Sequence, residues 1–159
     1  MHASYKWLKE LCAFEATPDQ VAEAFTRVGL EVEKQKRFGA LPHVVVAEVR
    51  VKEPHPKSEK LSLVRVFDGA QEIEVVCGAP NVPAPGKRIL FAQVGAKLPN
   101  GMEIGERKVA GVLSRGMICS EVELDIGAES DGIVVLPDEL AATAGTPVSD
   151  ALGLDDTVF

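Results

Sequence analysis

The chain has 159 residues, of which 46% are hydrophobic and 26% charged, and its formal net charge is −7. This balance is typical of a globular protein, and no apolar run reaches the roughly 18–20 residues that cross a bilayer. The N-terminus lacks a basic segment followed by an apolar core, which excludes a secretory signal, and three widely spaced cysteines favour reduced thiols and a cytoplasmic location.

Two helices and a strand are predicted in the first 38 residues. Residues 4–11 place apolar side chains at helical spacing. A second helix has Thr17 as its N-cap, Pro18 in its first turn and Gly29 as its C-terminal stop. Residues 30–38 favour a short strand. The apolar stripes of this helix–helix–strand unit need a partner surface, because so short a segment cannot bury them alone.

From residue 43 the hydrophobic period changes to two. In the strand predicted over residues 43–53, Val45, Ala47 and Val49 share one face. Further short strands are predicted at residues 61–68, 71–78, 88–95, 106–112 and 132–137, with about one helical turn at 120–127. Few short strands with uneven loops predict a mainly β fold, an OB-fold Greek-key barrel of five to six strands. An SH3-like barrel or a small sandwich would show much the same pattern.

The chain is expected to divide into three parts: the unit of residues 1–38, a barrel over 39–138 and an acidic, weakly periodic segment over 139–159. Charge is unevenly distributed: residues 39–118 carry eleven Lys and Arg against eight Asp and Glu, whereas residues 119–159 carry ten acidic residues and no Lys or Arg. The acidic end therefore dominates the net charge and does not exclude a local basic surface.

A catalytic site is not indicated. Cys77 or Cys119 could pair with His55 as nucleophile and base, but Cys77 ends an alternating strand, where a small buried residue is ordinary. The sequence has no C-x-x-C pair or histidine cluster for zinc and no phosphate-binding loop or nucleophile elbow. We therefore expect no catalytic residue, metal ligand or cofactor in this chain.

The stretch EPHPKSEKLSLVRV favours a binding loop. Pro54 and Pro56 bracket His55, and Lys57 and Lys60 follow. Because prolines restrict the backbone, such a loop holds its cations ready for an anionic partner at a lower entropic cost. A solvated loop with ordinary lysines is the alternative. Other polar groups able to bond phosphate or ribose oxygens lie near later strands and loops: Asn81, Arg107, Lys108, Ser114 and Arg115.

The shortage of aromatic residues narrows the expected partner. Between residues 43 and 137 the aromatic side chains other than histidine are Phe67 and Phe91. Barrels that grip single-stranded nucleic acid use several stacking rings. A folded RNA, recognised by its backbone shape and 2′-hydroxyl groups, suits this composition better.

Four motifs in order, EPHPKSEKLSLVRVFDG, VVCGAPNV, AKLPNG and VAGVLSRGMICSEVELDIG, resemble the tRNA-binding OB domain of several translation proteins. They cover roughly residues 40–137. The preceding stretches SYKWLKELC and TPDQVAEAFTRVGLEVE resemble the N-terminus of the β chain of bacterial phenylalanyl-tRNA synthetases. Since that β chain is several times longer, the resemblance implies that this chain is an N-terminal piece of one.

The resemblance also implies site residues. Lys57, Lys60 and Arg115 are expected at phosphates, and Asn81 and Ser114 at sugar–phosphate groups. The full predicted RNA-binding set is Lys57, Lys60, Asn81, Arg107, Lys108, Ser114, Arg115 and Ser120. Gly116 is expected to allow a backbone turn and Met117 to pack in the core.

For the family, the resemblance implies ATP- and Mg²⁺-dependent aminoacylation of tRNA(Phe) in an α2β2 assembly with the α chain, at sites outside this chain. The chain itself is expected to bind tRNA without catalysis, and no DNA or membrane partner is expected. Two alternatives stay open: a free-standing tRNA-binding dimer or chaperone, which the first 38 residues disfavour, and a module that docks subunits and contacts little RNA.

Overall fold

The computed structural model describes residues 2–39 and 41–159. Its helices are α1 (Tyr5–Leu11), α2 (Pro18–Arg27) and α3 (Val148–Ala151). Its strands are β1 (Lys36–Arg37), β2 (Val44–His55), β3 (Ser58–Phe67), β4 (Glu72–Cys77), β5 (Arg88–Ala92), β6 (Glu106–Val109), β7 (Val112–Arg115), β8 (Met117–Ile118), β9 (Val135–Leu136) and β10 (Thr157–Val158). Within these ranges, no helix is both long and apolar enough to span a bilayer.

An antiparallel sheet forms the centre of the molecule. Its strands lie in the order β4-β3-β2-β5-β8, and β9 also pairs with β5. The first strand of that order, β4, contacts β7 and β8 at its other side, so the sheet curls back on itself. Long-range antiparallel pairing with this closure is the arrangement of a small barrel. The predicted mainly β, OB-like fold is confirmed.

Both faces of the first half of β2 are buried, which explains the apolar run at its start. One face contributes Ala47 and Val49 to the barrel interior, where they join a cluster of buried side chains that includes Val64, Val66, Val75, Ile89, Phe91 and Ile118. The other face carries Val44 and Val46, which the later chain covers. There, backbone hydrogen bonds of 2.8 Å join Val46 to Thr146 and Gly145. The predicted two-residue alternation therefore describes only the inner face.

The start of α2 follows the predicted local signals. The Thr17 hydroxyl accepts a hydrogen bond from the backbone N–H of Gln20, and the Gln20 side chain accepts one from the N–H of Thr17. This reciprocal capping satisfies two of the donors that a helix N-terminus leaves free. With Pro18 as the first helical residue, the predicted N-cap is confirmed.

The first and last segments of the chain pack together. Strand β1 pairs with β10, and the rings of Phe25 and Phe159 meet edge to face with centroids 5.6 Å apart. The strand predicted over residues 30–38 is therefore wrong except at β1, and residues 139–159 are not an unpatterned tail. Several large apolar side chains of the N-terminal unit stay exposed: Trp7, Leu11, Val28 and Leu30.

Residues 106–115 form a hairpin rather than the single predicted strand. Strands β6 and β7 pair directly, and the two residues between them, Ala110 and Gly111, have φ angles of 49° and 90°. Positive φ at both central residues is the requirement of a type I′ turn, which matches the twist of a two-stranded ribbon. The single-strand prediction failed because alanine is an uncommon first residue for this turn.

Candidate nucleic-acid interface

The bend between β2 and β3 is a tight turn rather than the longer loop predicted from its prolines. The strands run up to His55 and resume at Ser58, which pair with each other, and a register shift separates His55 from Pro54. Only Pro56 and Lys57 lie in the turn. The backbone N–H of Lys57 donates a 3.0 Å hydrogen bond to Nδ1 of the buried His55 imidazole. The turn thus has a hydrogen bond of its own, between a side chain and the backbone.

Lys57 and Lys60 project from this bend. Both are exposed, and neither forms an ion pair within the described ranges 2–39 and 41–159. Glu53 and Glu59 are their sequence neighbours and are also exposed. Unpaired, exposed ammonium groups attract phosphate without first breaking an internal contact.

The β6–β7 hairpin brings a second source of positive charge to the bend. A Cβ atom added to Gly111 would lie 3.3 Å from the Lys57 Nζ, so the Lys57 ammonium lies against the hairpin turn. Lys108 and Arg107 are exposed residues of β6 close to this turn. Because successive strand residues face opposite sides, these two do not share a face. Lys57 therefore lies beside the turn end of the β6–β7 hairpin.

Arg115 lies at the opposite end of the hairpin. It is the cross-strand partner of Glu106, and its Nε lies 3.2 Å from a Glu106 carboxylate oxygen. Four strand residues, roughly 13 Å at 3.3 Å per residue, separate Arg115 from Gly111. The cleft beside Arg115, about 350 Å³ in volume, is also lined by the acidic residues Asp68 and Glu72. Arg115 is therefore neither free nor next to Lys57, contrary to a single patch of Lys57, Lys60 and Arg115.

Asn81 is an exposed residue whose amide also holds two loops together. Its Nδ2 donates a 2.9 Å hydrogen bond to the carbonyl of Ile133, and its Oδ1 accepts one of 2.9 Å from the Ile133 N–H. Gly132 gives the amide room, because a Cβ there would lie 2.6 Å from the Asn81 side chain. The amide therefore has a structural role, and a direct RNA contact by this exposed residue stays a prediction.

Ser114 and Ser120 are buried. The Ser114 hydroxyl accepts a hydrogen bond from the N–H of Val76 and donates one to the carbonyl of Gly116, which ties β7 to β4. The Ser120 hydroxyl donates to the Glu123 carboxylate at 2.9 Å, as does the Ser120 N–H at 2.7 Å. Because these groups are buried and engaged inside the protein, their positions favour a structural role, and the predicted RNA contacts of Ser114 and Ser120 stay untested predictions.

Gly116 and Met117 have the roles that the sequence predicted. Gly116 has a φ of 125°, and a Cβ on it would lie 2.4 Å from the Phe91 ring and 2.8 Å from the Ala92 carbonyl oxygen. Met117 packs against the core cluster that contains Leu90 and Ala92. Most residues of the element from Ser114 to Met117 therefore serve to close the barrel.

Cys77 and Cys119 do not have the environment of a nucleophile. Burial raises the pKa of Cys119 to about 12, and burial also raises the pKa of Cys77. A reactive cysteine needs a thiolate, which both environments disfavour. The nitrogen of His55 that would act as a base is the one that accepts the Lys57 N–H.

One residue that supports the site was not assigned a role from the sequence. His55 entered only as a conceivable catalytic base, whereas the structure uses it to hold Lys57. The sequence could have indicated this role, because His55 lies two residues before Lys57, the spacing at which side chains commonly accept a hydrogen bond from the backbone of a turn.

Comparison with known proteins bears on the whole chain. The family model described as a putative tRNA binding domain matches residues 44–146. Phenylalanine–tRNA ligase beta subunits of Geobacter metallireducens and Legionella pneumophila (strain Lens) are 46% and 43% identical to this chain, with all of the chain and 20% of each relative covered. The chain thus spans about a fifth of the length of these relatives.

Among solved structures, the MetRS related protein from Pyrococcus horikoshii is 20% identical, with a TM-score of 0.47, and the match covers 85% of this chain and 99% of that one. The family model covers the barrel strands from β2 to β9 and ends at residue 146, within the segment that follows them. The chain belongs to the putative tRNA binding domain family and is similar along its whole length to phenylalanine–tRNA ligase beta subunits.

Proposed function

We propose that the chain is a non-catalytic tRNA-binding module of a phenylalanine–tRNA ligase beta subunit. The observation that carries the proposal is the pair of unpaired ammonium groups at the β2–β3 bend, with Lys57 held against the β6–β7 hairpin. Cations in fixed positions replace counterions on the phosphate backbone, and a stiff bend sets the angle at which the RNA docks.

The proposal includes the whole enzyme. The full-length β subunit would work with an α chain in an α2β2 assembly in the cytoplasm, and aminoacylate tRNA(Phe) with ATP and Mg²⁺ at sites outside this chain. Residues 2–39 and 41–159 contain no group of three His, Cys, Asp or Glu side chains placed to hold a metal ion. No step of the proposed mechanism in this chain involves a metal ion. The division at residues 38 and 138 is part of the same proposal.

Titration of the chain with tRNA(Phe) over a series of salt concentrations tests the proposal. We expect the logarithm of the association constant to fall linearly with the logarithm of salt concentration. The double variant K57A/K60A should reduce this slope by about one to two units, since each phosphate contact contributes roughly 0.7–0.9. Comparison with a second tRNA measures selectivity.

The control is K36A/K97A, which removes the same charge. Lys36 and Lys97 each form an ion pair, with Asp125 and Glu103 respectively, and both line a cleft that contains no residue of the bend. An equal loss of slope in both double variants would mean that the chain binds through its overall charge, and the assigned surface would be wrong.

The subunit-docking alternative also has an observation in its favour. The N-terminal unit exposes Trp7 by 57% and Val28 by 74%, beside Leu11 and Leu30. Exposed apolar groups of this size commonly mark contacts with protein. If the wild-type chain showed no salt-dependent tRNA binding, docking would replace RNA binding as the function of this module.

A further inference from the structure

The imidazole of His55 is an unusual group to bury at the β2–β3 bend. His55 is 5% exposed, and its Nε2 has no hydrogen-bond partner in the described part of the chain. Buried polar atoms are nearly always paired, and each exception calls for a reason. An apolar side chain would fill the same space without leaving a polar atom unpaired.

The hydrogen bond at the other ring nitrogen, Nδ1, explains why a histidine is buried here. Nδ1 accepts the hydrogen bond from the Lys57 N–H. A nitrogen that accepts cannot carry a proton, so the ring is the neutral tautomer with its proton on Nε2. The unpaired Nε2–H is thus the consequence of using Nδ1 as an acceptor, and an apolar replacement would lose that acceptor.

This hydrogen bond resembles an Asx turn made by histidine. In an Asx turn, the side-chain oxygen of Asn or Asp accepts the N–H two residues further along and so fixes the turn. His55 and Lys57 have that spacing and that pattern of donor and acceptor. In a two-residue hairpin turn such as Pro56–Lys57, the second N–H is outside the strand ladder and would otherwise point to solvent.

We infer that His55 is a positioning residue for RNA binding, which sets the direction of Lys57 through the N–H···Nδ1 hydrogen bond. The bond fixes the backbone at Lys57, and the side chain then extends to the hairpin turn at Gly111. The inference rests on the proposed function for its role and on the bend alone for its geometry. Without the Nδ1 acceptor, the Lys57 ammonium would explore several positions, and tRNA would have to restrain it on binding.

Two measurements test the inference separately. The first needs no variant: the nitrogen chemical shifts of the His55 ring in ¹⁵N-labelled wild-type chain should show a protonated Nε2 and a bare, accepting Nδ1 at neutral pH. A proton on Nδ1 would overturn the inference whatever the chain does with RNA.

The second measurement is tRNA affinity in three backgrounds. H55L removes the acceptor and should weaken binding roughly threefold, which is about 0.7 kcal/mol at 1.4 kcal/mol per factor of ten. H55N offers an oxygen acceptor at the Asx-turn position and should restore most of the loss. The double variant H55L/K57A should bind no more weakly than K57A, because both changes remove the same contact. Thermal unfolding of each variant verifies that it is folded at the titration temperature.

The possible outcomes are distinct. Equal losses in H55L and H55N, or additive losses in H55L/K57A, would overturn the positioning role while leaving the proposed function in place. Absence of binding by the wild-type chain would overturn the proposed function itself. Rescue by H55N together with non-additivity would establish His55 as the residue that presents Lys57.

Discussion

The hydroxyl of Ser4 donates a 2.5 Å hydrogen bond to the carboxylate of Asp156, 152 residues further along the chain. The same carboxylate accepts the backbone N–H of Lys6 at 3.0 Å, so it holds the first turn of α1 from outside. Ser4 is also the N-cap of α1 and accepts the N–H of Trp7. The Ser4 hydroxyl therefore caps α1 and also links the first residues of the chain to the last ones.

Replacement of Ser4 by alanine should loosen the N-terminal unit. We expect S4A to lower the free energy of unfolding by about 1 kcal/mol, the usual effect of losing an N-cap hydroxyl, and to speed amide exchange in α1. The control is S130A, since the exposed Ser130 hydroxyl meets only its neighbour Asp131, at 3.4 Å. Equal exchange in α1 of S4A and S130A would show that the Ser4–Asp156 contact does not hold the unit.

Asp156 should make stability depend on pH in the acid range. Burial raises its pKa, but hydrogen bonds from the Ser4 hydroxyl and from the Lys6 and Thr157 N–H groups outweigh burial, and the pKa is lowered from 3.8. Because the folded state has the lower pKa, this stabilisation is complete above the ordinary value and is lost as pH falls through the lowered one. The stability difference between wild type and D156N, measured by urea unfolding, should shrink as the solution is acidified. A difference that stays constant would refute this assignment.

Gly116 should tolerate no side chain. In G116A the new Cβ would meet the Phe91 ring and the Ala92 carbonyl, at a φ of 125° that L-residues rarely adopt. Overpacking and backbone strain together should cost about 3 kcal/mol, measured by chemical unfolding. G105A is the matched control, because a Cβ there meets nothing within 4 Å and its φ is not positive. Equal stability of the two variants would mean that the barrel can relax around position 116.

A variant at Ser114 distinguishes a structural role of this residue from a role in contacting RNA. S114A leaves the Val76 N–H without its acceptor between β4 and β7, which should cost about 1–3 kcal/mol of stability. At temperatures where the variant is folded, tRNA affinity should stay within about twofold of wild type, because the hydroxyl does not reach solvent. The reverse pattern, with unchanged stability and weakened binding, would restore the sugar–phosphate role predicted from the sequence.

Local features of the sequence predicted local features of the structure. The N-cap at Thr17 depends on residues within one helical turn, and the period of two around Val49 follows from the pleat of a single strand. The β6–β7 hairpin is also local, but its turn residues, Ala110 and Gly111, give a weaker signal than Asn-Gly, and the prediction missed it.

The sequence by itself determined that this is a mainly β protein with a proline-framed bend that carries Lys57 and Lys60, because period, prolines and charge are properties of neighbouring residues. Only the tertiary structure decided which polar groups of the motifs are buried, paired or left free at the surface. Ser114 and Ser120 are buried and hydrogen-bonded inside the protein, the exposed Asn81 is bonded to Ile133, and Arg115 is paired with Glu106. Solvent exposure depends on which distant strands meet, and barrel closure brings together residues, such as Val76 and Ser114, that no local pattern connects.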